Sequence, residues 1–212
     1  GYNADRAERA VRGEMLEVNI PWTFPDGRIR YLFDPTAIRG PVNHEWLWQL
    51  NRHSFWNDMA NAYAATGDEK YARAFNIQLR DWIAQTDCPP NWNAPGSAWR
   101  TIEAGLRLMG SWPAAFDRFR HSPEFTDENL CLMLASMHRQ AVHLLEHPTG
   151  GNWLLMEMNG VYTFATLFPE FSDAEMFRKK SARTLSDALR GQILPDGMHD
   201  ELSPDYHSVV FT

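Results

Sequence analysis

The feature that most limits the fold is helical periodicity that recurs along the whole chain and is cut by short, sharp breaks. From His44 onward, Trp46, Leu50, Trp56, Met59, Ala60 and Tyr63 return every three or four positions, which lines one face of a helix. The run stops at Thr66-Gly67, where glycine suits the left-handed residue that ends a helix. Asp68 is placed to cap the next helix, over about Glu69 to Gln85. So little chain joins the two that they must lie antiparallel. The same signals predict helices over about Asp5 to Val18, Trp99 to Phe119 with a disturbance at Pro113, Thr126 to Glu146 and Trp153 to Leu167. The capping box Ser172-Asp173-Ala174-Glu175 opens another, to about Gly191. Convincing strand alternation is not found.

An eighth helix opens at Ser203-Pro204, serine as N-cap and proline in the first turn. It has an apolar face and no room to finish before Thr212, so residues 1–212 are expected to be the N-terminal part of a longer domain. Successive hairpins build a solenoid or a closed α/α toroid. No repeat of about 34 or about 40 residues is visible, which favours an all-α, incomplete toroid. Alternation then places the starts of every second helix at one end: Asn43-His44, Trp99-Arg100, Asn152-Trp153 and Tyr206-His207. Helix N-termini favour anions there.

The net charge of −7, from 20 basic and 27 acidic residues, argues against a nucleic-acid or membrane-surface partner. It leaves room for a polyanion in a local basic cleft. Nine tryptophans suit either a core or a cleft that stacks sugar rings. The two cysteines, Cys88 and Cys131, make no disulfide framework; Cys131, within Leu130-Cys131-Leu132-Met133-Leu134, reads as a buried thiol.

Three chemistries fit the polar residues. His143-Leu144-Leu145-Glu146-His147 has the spacing of an inverted zinc-protease motif, but Pro148 follows at once and no third ligand is evident. Glu103, Glu157, Asp200 and Glu201 offer glycosidase carboxylates, which need a separation of about 5–9.5 Å that spacing cannot test. The third is β-elimination on a uronic acid. An amide such as Asn152 neutralises the sugar carboxylate and stabilises the developing enolate, and a phenol such as Tyr206 moves the C5 proton. Each residue also has a bland reading: Asn152 as an N-cap, Tyr206 as a half-buried core phenol, Arg107 as an ion pair with Glu103, and Arg178-Lys179-Lys180 with Arg183 as a solvated face. Gly160, inside a helix, marks close packing.

Leu50-Asn51-Arg52-His53, Ala62 to Ala72, Gly151-Asn152-Trp153, Phe168-Pro169-Glu170-Phe171, Pro195-Asp196-Gly197 and Glu201 to His207 together resemble the N-terminal domain of heparinase II/III-type polysaccharide lyases, most nearly the heparan-sulfate-cleaving branch. The resemblance covers essentially the whole chain. It implies an incomplete α/α toroid followed by a C-terminal β-sandwich domain, in a secreted, typically periplasmic enzyme. It assigns Asn152 to carboxylate neutralisation and Tyr206 to proton transfer. A further catalytic histidine belongs to the β-sandwich domain, so this chain alone is expected to be inactive. Trp99, Arg100, Arg107, Trp153 and His207 from the rim, with Asn51 and Arg52 of the first motif, are the expected substrate contacts. No metal or other cofactor is implied within this region. A lyase for alginate or another uronan, or a non-catalytic carbohydrate-binding α/α domain, stays open as an alternative.

Overall fold

The computed structural model of the protein describes residues 2–192. Helix α1 (Ala4–Val11) is capped by Asn3, whose side chain accepts from the backbone N–H of Arg6. A hairpin follows, β1 (Glu14–Glu17) paired antiparallel with β2 (Ile20–Thr23), where a helix to Val18 was expected. Val18 and Asn19 take φ of 46° and 63°, the left-handed pair a two-residue hairpin turn requires. The strand is hard to see because one inward residue is charged. Met15 and Glu17 are buried while Leu16 faces out. Glu17 lies 3.7 Å from Arg6, and burial pushes its carboxyl above the ordinary value in spite of that neighbour.

After the short α2 (Thr36–Arg39), the helix expected from His44 is two helices, α3 (Glu45–Arg52) and α4 (Phe55–Thr66). The chain breaks at His53, which takes a left-handed φ of 57°. Tertiary packing holds it there. Its ring stacks on Trp56 at 4.1 Å and meets Trp82 edge-on at 5.5 Å, and its Nδ1 accepts the indole N–H of Trp112 at 2.9 Å.

Helix α4 ends at Gly67 (φ 67°), whose N–H donates to the Tyr63 carbonyl. Asp68 accepts from the N–H of Lys70 at the head of α5 (Lys70–Gln85). The helix expected over 99–119 is three pieces: α6 (Thr101–Leu106), a π-helical turn (Arg107–Ser111) and α7 (Trp112–Phe119). Pro113 has no N–H for the preceding turn, and the wider π turn before it absorbs the misfit. Thr126 caps α8 (Asp127–Glu146) by accepting from Asn129 N–H. Then come α9 (Gly151–Leu167) and α10 (Ala174–Gln192), each reached by a short connection and so antiparallel to its predecessor. The Asp173 carboxylate, just before α10, accepts from His138 Nε2 at 2.7 Å.

Five of the nine tryptophans are buried: Trp46, Trp56, Trp82, Trp99 and Trp112. Their area drives the core, and each indole N–H still needs an acceptor. Trp46 donates to the Ile20 carbonyl, Trp56 to Gln78, Trp82 to Asn51, Trp112 to His53 and Trp99 to the Thr86 carbonyl. Cys131 is exposed, not buried. The inward stripe of α8 runs through Asn129, Met133, Ser136, Met137 and Gln140, and the apolar run around Cys131 straddles its edge. The basic run on α10 is solvated as expected, with Arg178, Lys179, Lys180 and Arg183 all exposed.

Helices α6 and α9 touch through backbone. A Cβ on Gly105 would sit 2.8 Å from the Met156 carbonyl oxygen, and one on Gly160 would sit 2.7 Å from that of Gly105. Neither obstacle is a flexible side-chain tip. Gly160→Ala should therefore push the helices apart and destabilise the fold by roughly 1–3 kcal/mol, read as a fall in melting temperature. An unchanged melt would show that the crossing is slack.

Two buried imidazoles make stability depend on pH. His53 is held well below its ordinary range, by burial first and then by the charge of Arg107. His143 is pushed from 6.5 down to about 4, chiefly by burial. The unfolded chain therefore binds more protons below about pH 6.5. The stabilisation is fully present above that value and is lost as pH falls toward the folded values, at up to ~1.4 kcal/mol per pH unit for each group. Glu17 and Glu103, raised by burial, act in the opposite sense nearer the carboxylate range. Urea midpoints should fall between about pH 7.5 and about pH 5, and less steeply in His143→Gln. A flat profile in both proteins would contradict this account.

Candidate functional site

The starts of α3, α6 and α9 meet, as the alternation of helices anticipated. Gly150 is the N-cap of α9, and Gly151 turns into the helix with φ 60°, a conformation open to glycine. Asn152 is thus a first-turn residue and not the cap. It is half-buried, and among the described residues its amide makes no hydrogen bond. The turn is anchored from below by Glu157, fully buried, whose two oxygens accept from Thr149 N–H at 2.9 Å and Thr149 Oγ1 at 2.7 Å. That carboxylate is occupied as a brace, which removes it as a glycosidase acid.

Beside Trp153 lies Arg100, immediately before α6. Its guanidinium carbon sits 5.0 Å from the Trp153 ring and 3.5 Å from the Trp48 ring. Trp48 in turn donates its indole N–H to the Pro95 carbonyl at 2.8 Å, fixing the preceding loop to α3. Sequence reasoning missed Trp48. The available signal was its place on one face of α3 with Glu45 and Arg52, at helical spacing.

Under this layer is a buried charge cluster. Glu103 is fully buried, 3.0 Å from Arg52 Nη2 and 3.6 Å from Arg100 Nε. Burial pushes its carboxyl up while Arg100 and Arg52 draw it down. Burial lowers Arg100, and lowers Arg107 to about 9. Glu45 adjoins at 3.9 Å from Arg52. Arg107 does not pair directly with Glu103. It donates to Gln140 Oε1 at 2.7 Å, the Asn51 carbonyl at 2.8 Å and the Ala98 carbonyl at 3.0 Å.

The expected substrate contacts therefore divide. Arg100, Arg52, Asn152 and Trp153 are brought together around the starts of α6 and α9. Asn51, Trp99 and Arg107 are corrected to supports, because each is closed off from solvent and hydrogen-bonds to groups inside the fold. Asn51 donates to the Tyr31 and Leu47 carbonyls and accepts from Trp82; Trp99 is buried against Trp82. Tyr206 and His207 lie outside the described residues, as do Asp200 and Glu201. His143 does not face an open metal site. Its Nε2 donates to the Trp99 carbonyl at 2.9 Å, and its Nδ1 lies 3.8 Å from Cys88 Sγ. Among the described residues no group of three or more His, Cys, Asp or Glu side chains could hold a metal ion.

The profile of the heparinase II/III N-terminus family matches residues 4–212. A heparin-sulfate lyase from Pedobacter heparinus is 37% identical over 166 residues, 78% of this chain and 25% of that protein. One from Bacteroides thetaiotaomicron is 32% identical over 184 residues, 86% of this chain and 25% of that protein. A crystal structure of heparinase III superposes with a TM-score of 0.87 at 27% identity, over 99% of this chain and 33% of that one. A heparan sulfate lyase from Pedobacter heparinus superposes with a TM-score of 0.81 at 32% identity, over 96% of this chain and 31% of that one. The chain spans about a quarter of the length of the curated relatives it matches.

Removing the central carboxylate should be severe. Glu103→Leu keeps bulk but leaves Arg100 and Arg107 without their nearest buried counter-charge, and should cost roughly 3–5 kcal/mol. The urea midpoint checks this; a loss below about 1 kcal/mol would mean that water already neutralises the cluster.

Proposed function

Because this chain belongs to the heparinase II/III N-terminus family, we propose that its protein is a polysaccharide lyase that cleaves a uronic-acid-containing glycosaminoglycan, heparan sulfate, by β-elimination. The helical hairpins form the incomplete α/α toroid of that enzyme. The observation that carries the reading is the first turn of α9. It presents an unbonded amide, Asn152, beside a tryptophan and a desolvated arginine, at the end of the bundle where several helices start.

The chemistry follows from the acidity problem. The C5 proton of a uronate is hard to remove while the adjacent carboxylate carries its full charge. Asn152 donates to that carboxylate and holds the charge that develops on it, a preorganised interaction realised most strongly in the transition state. Tyr206 takes the C5 proton and passes it toward the leaving glycosidic oxygen. The bond from C4 to that oxygen breaks, and a C4–C5 double bond forms. An ordinary phenol titrates near about 10, so its role requires neighbouring positive charge. Arg100, Arg52 and Trp153, with His207, contact the sugar and its anionic groups. The remaining part of the enzyme, a C-terminal β-sandwich domain supplying a histidine, is the partner this chain needs for turnover. Secretion to the periplasm suits a substrate that is an extracellular polymer.

The test is a panel of uronic-acid polysaccharides offered to the full-length protein, followed by the ultraviolet absorbance of the conjugated product. Heparan sulfate should give the highest rate. Asn152→Ala should lower kcat by roughly 10²–10³-fold with the melting temperature retained, and Tyr206→Phe should abolish turnover. Undiminished turnover in either variant would remove the assigned role. Preference for alginate would correct the substrate, and tight binding without product would leave a carbohydrate-binding domain.

A further inference from the structure

Among the described residues, the Arg100 side chain is a cation without a hydrogen bond. Its side chain is only 7% exposed, yet among the described residues its guanidinium donates to no acceptor, and Nη1 is buried with no partner. The nearest carboxylate oxygen, Glu103 Oε2, is 3.6 Å from Nε and accepts no hydrogen bond either. The guanidinium carbon lies over the rings of Trp48 and Trp153, 3.5 Å and 5.0 Å from their centroids. Stacking of this kind satisfies the faces and leaves the N–H edge, which bonds only in its own plane. A buried, unbonded cation is strongly unfavourable, and native structures keep one where something completes it.

The neighbours define the missing group. Arg52 gives Nη2 to Glu103 and keeps a buried Nε unbonded; Arg107 keeps a buried Nη2 unbonded. Arg52 and Arg100 share one buried carboxylate, Glu103, with Glu45 3.9 Å from Arg52. Arginine's planar fork matches the oxygens of a sulfate ester or a carboxylate.

We propose that Arg100, clamped between Trp48 and Trp153, is a specificity-determining subsite for one oxyanion, a sulfate ester or carboxylate on a sugar ring adjoining the one held by Asn152. This rests on the reading of the site as one for an acidic glycan. Trp48 and Glu103 position the guanidinium; they do not contact the ligand.

The test uses the full-length protein. Inorganic sulfate should perturb tryptophan fluorescence with saturation, while chloride at equal ionic strength should not, and Arg100→Ala should abolish the response. On heparan sulfate, Arg100→Ala should raise KM by about 10–100-fold, the range for losing hydrogen bonds to a charged group, with little change in kcat. Arg100→Lys keeps the charge without the fork; it should recover only a minor part of the KM loss, and it stands in if Arg100→Ala fails to fold. Chemically desulfated polymer separates the sources. If sulfate is read, the wild type falls to the KM of the variant on that polymer; if carboxylate is read, the variant's defect persists there. Folded Arg100 variants with unchanged KM and unchanged sulfate response would overturn the proposal, as would an equal response to chloride. A wild-type protein that yields no conjugated product would defeat the lyase reading alone, since the sulfate titration stands without turnover.

Discussion

The structure depends on a positive charge placed where water cannot reach it. Arg107, in the π turn between α6 and α7, is fully buried and ties the end of α3, the loop before α6 and the middle of α8 into one unit. Burying an ion costs several kcal/mol before any partner is counted. That cost is met by carbonyls, by the Gln140 amide and by the field of Glu103 one turn earlier. The indole of Trp82, 4.7 Å from the guanidinium, adds a face-on contact. Once Arg107 and Glu103 are fixed, Arg52 and Arg100 are fixed as well, because both are drawn to the same carboxylate. The internal charge of the core thus sets the geometry of the surface that a ligand meets.

This arrangement also shows how an acidic protein can present a local positive charge. A chain of net charge −7 repels a polyanion at long range, and salt screens that field beyond about 8 Å. Recognition must then be local. Tryptophans around Arg100 lower the dielectric response there and strengthen its attraction for an anion, whereas the exposed arginines and lysines of α10 act through water, several of them paired with Glu175 or Asp187. The most strongly acting charge is that of a desolvated residue and not that of the most obvious basic run.

Much of the fold was legible in the sequence because its signals were local. Gly67 and Asp68 announced the α4–α5 turn, Thr126 announced α8, and Gly160 announced a close crossing. The failures came where tertiary contacts override local preference. His53 breaks an otherwise continuous helical pattern because five aromatic neighbours hold it in a left-handed conformation. Glu17 disguises a strand because its inward charge needs Arg6, far off in the pattern. At the site, the rim of helix starts was visible from parity alone, but the split between Arg100 and Arg107 was not. Both lie on one helical face, and only packing decides that one donates to Gln140 and two backbone carbonyls while the other finds no acceptor among the described residues. Nothing local marks Asn51 as an acceptor for Trp82 either.

The surroundings of Asn152 show how the start of a helix is held in place. Gly151 supplies the left-handed turn, Glu157 anchors Thr149 just before it, and Gly105 and Gly160 let α6 and α9 meet backbone to backbone. None of these residues needs to touch a sugar. Together they fix α9 against α6 with backbone in contact at Gly105, Met156 and Gly160, and Trp153 lies against Arg100. Transition-state stabilisation by a neutral amide is steep in distance, tolerating errors of about 0.5 Å. A donor carried on a loose loop would spend its strength on being ordered. A rigid crossing of glycines places the cost of precision in folding, where backbone contact and not an adjustable side chain sets the spacing of α6 and α9.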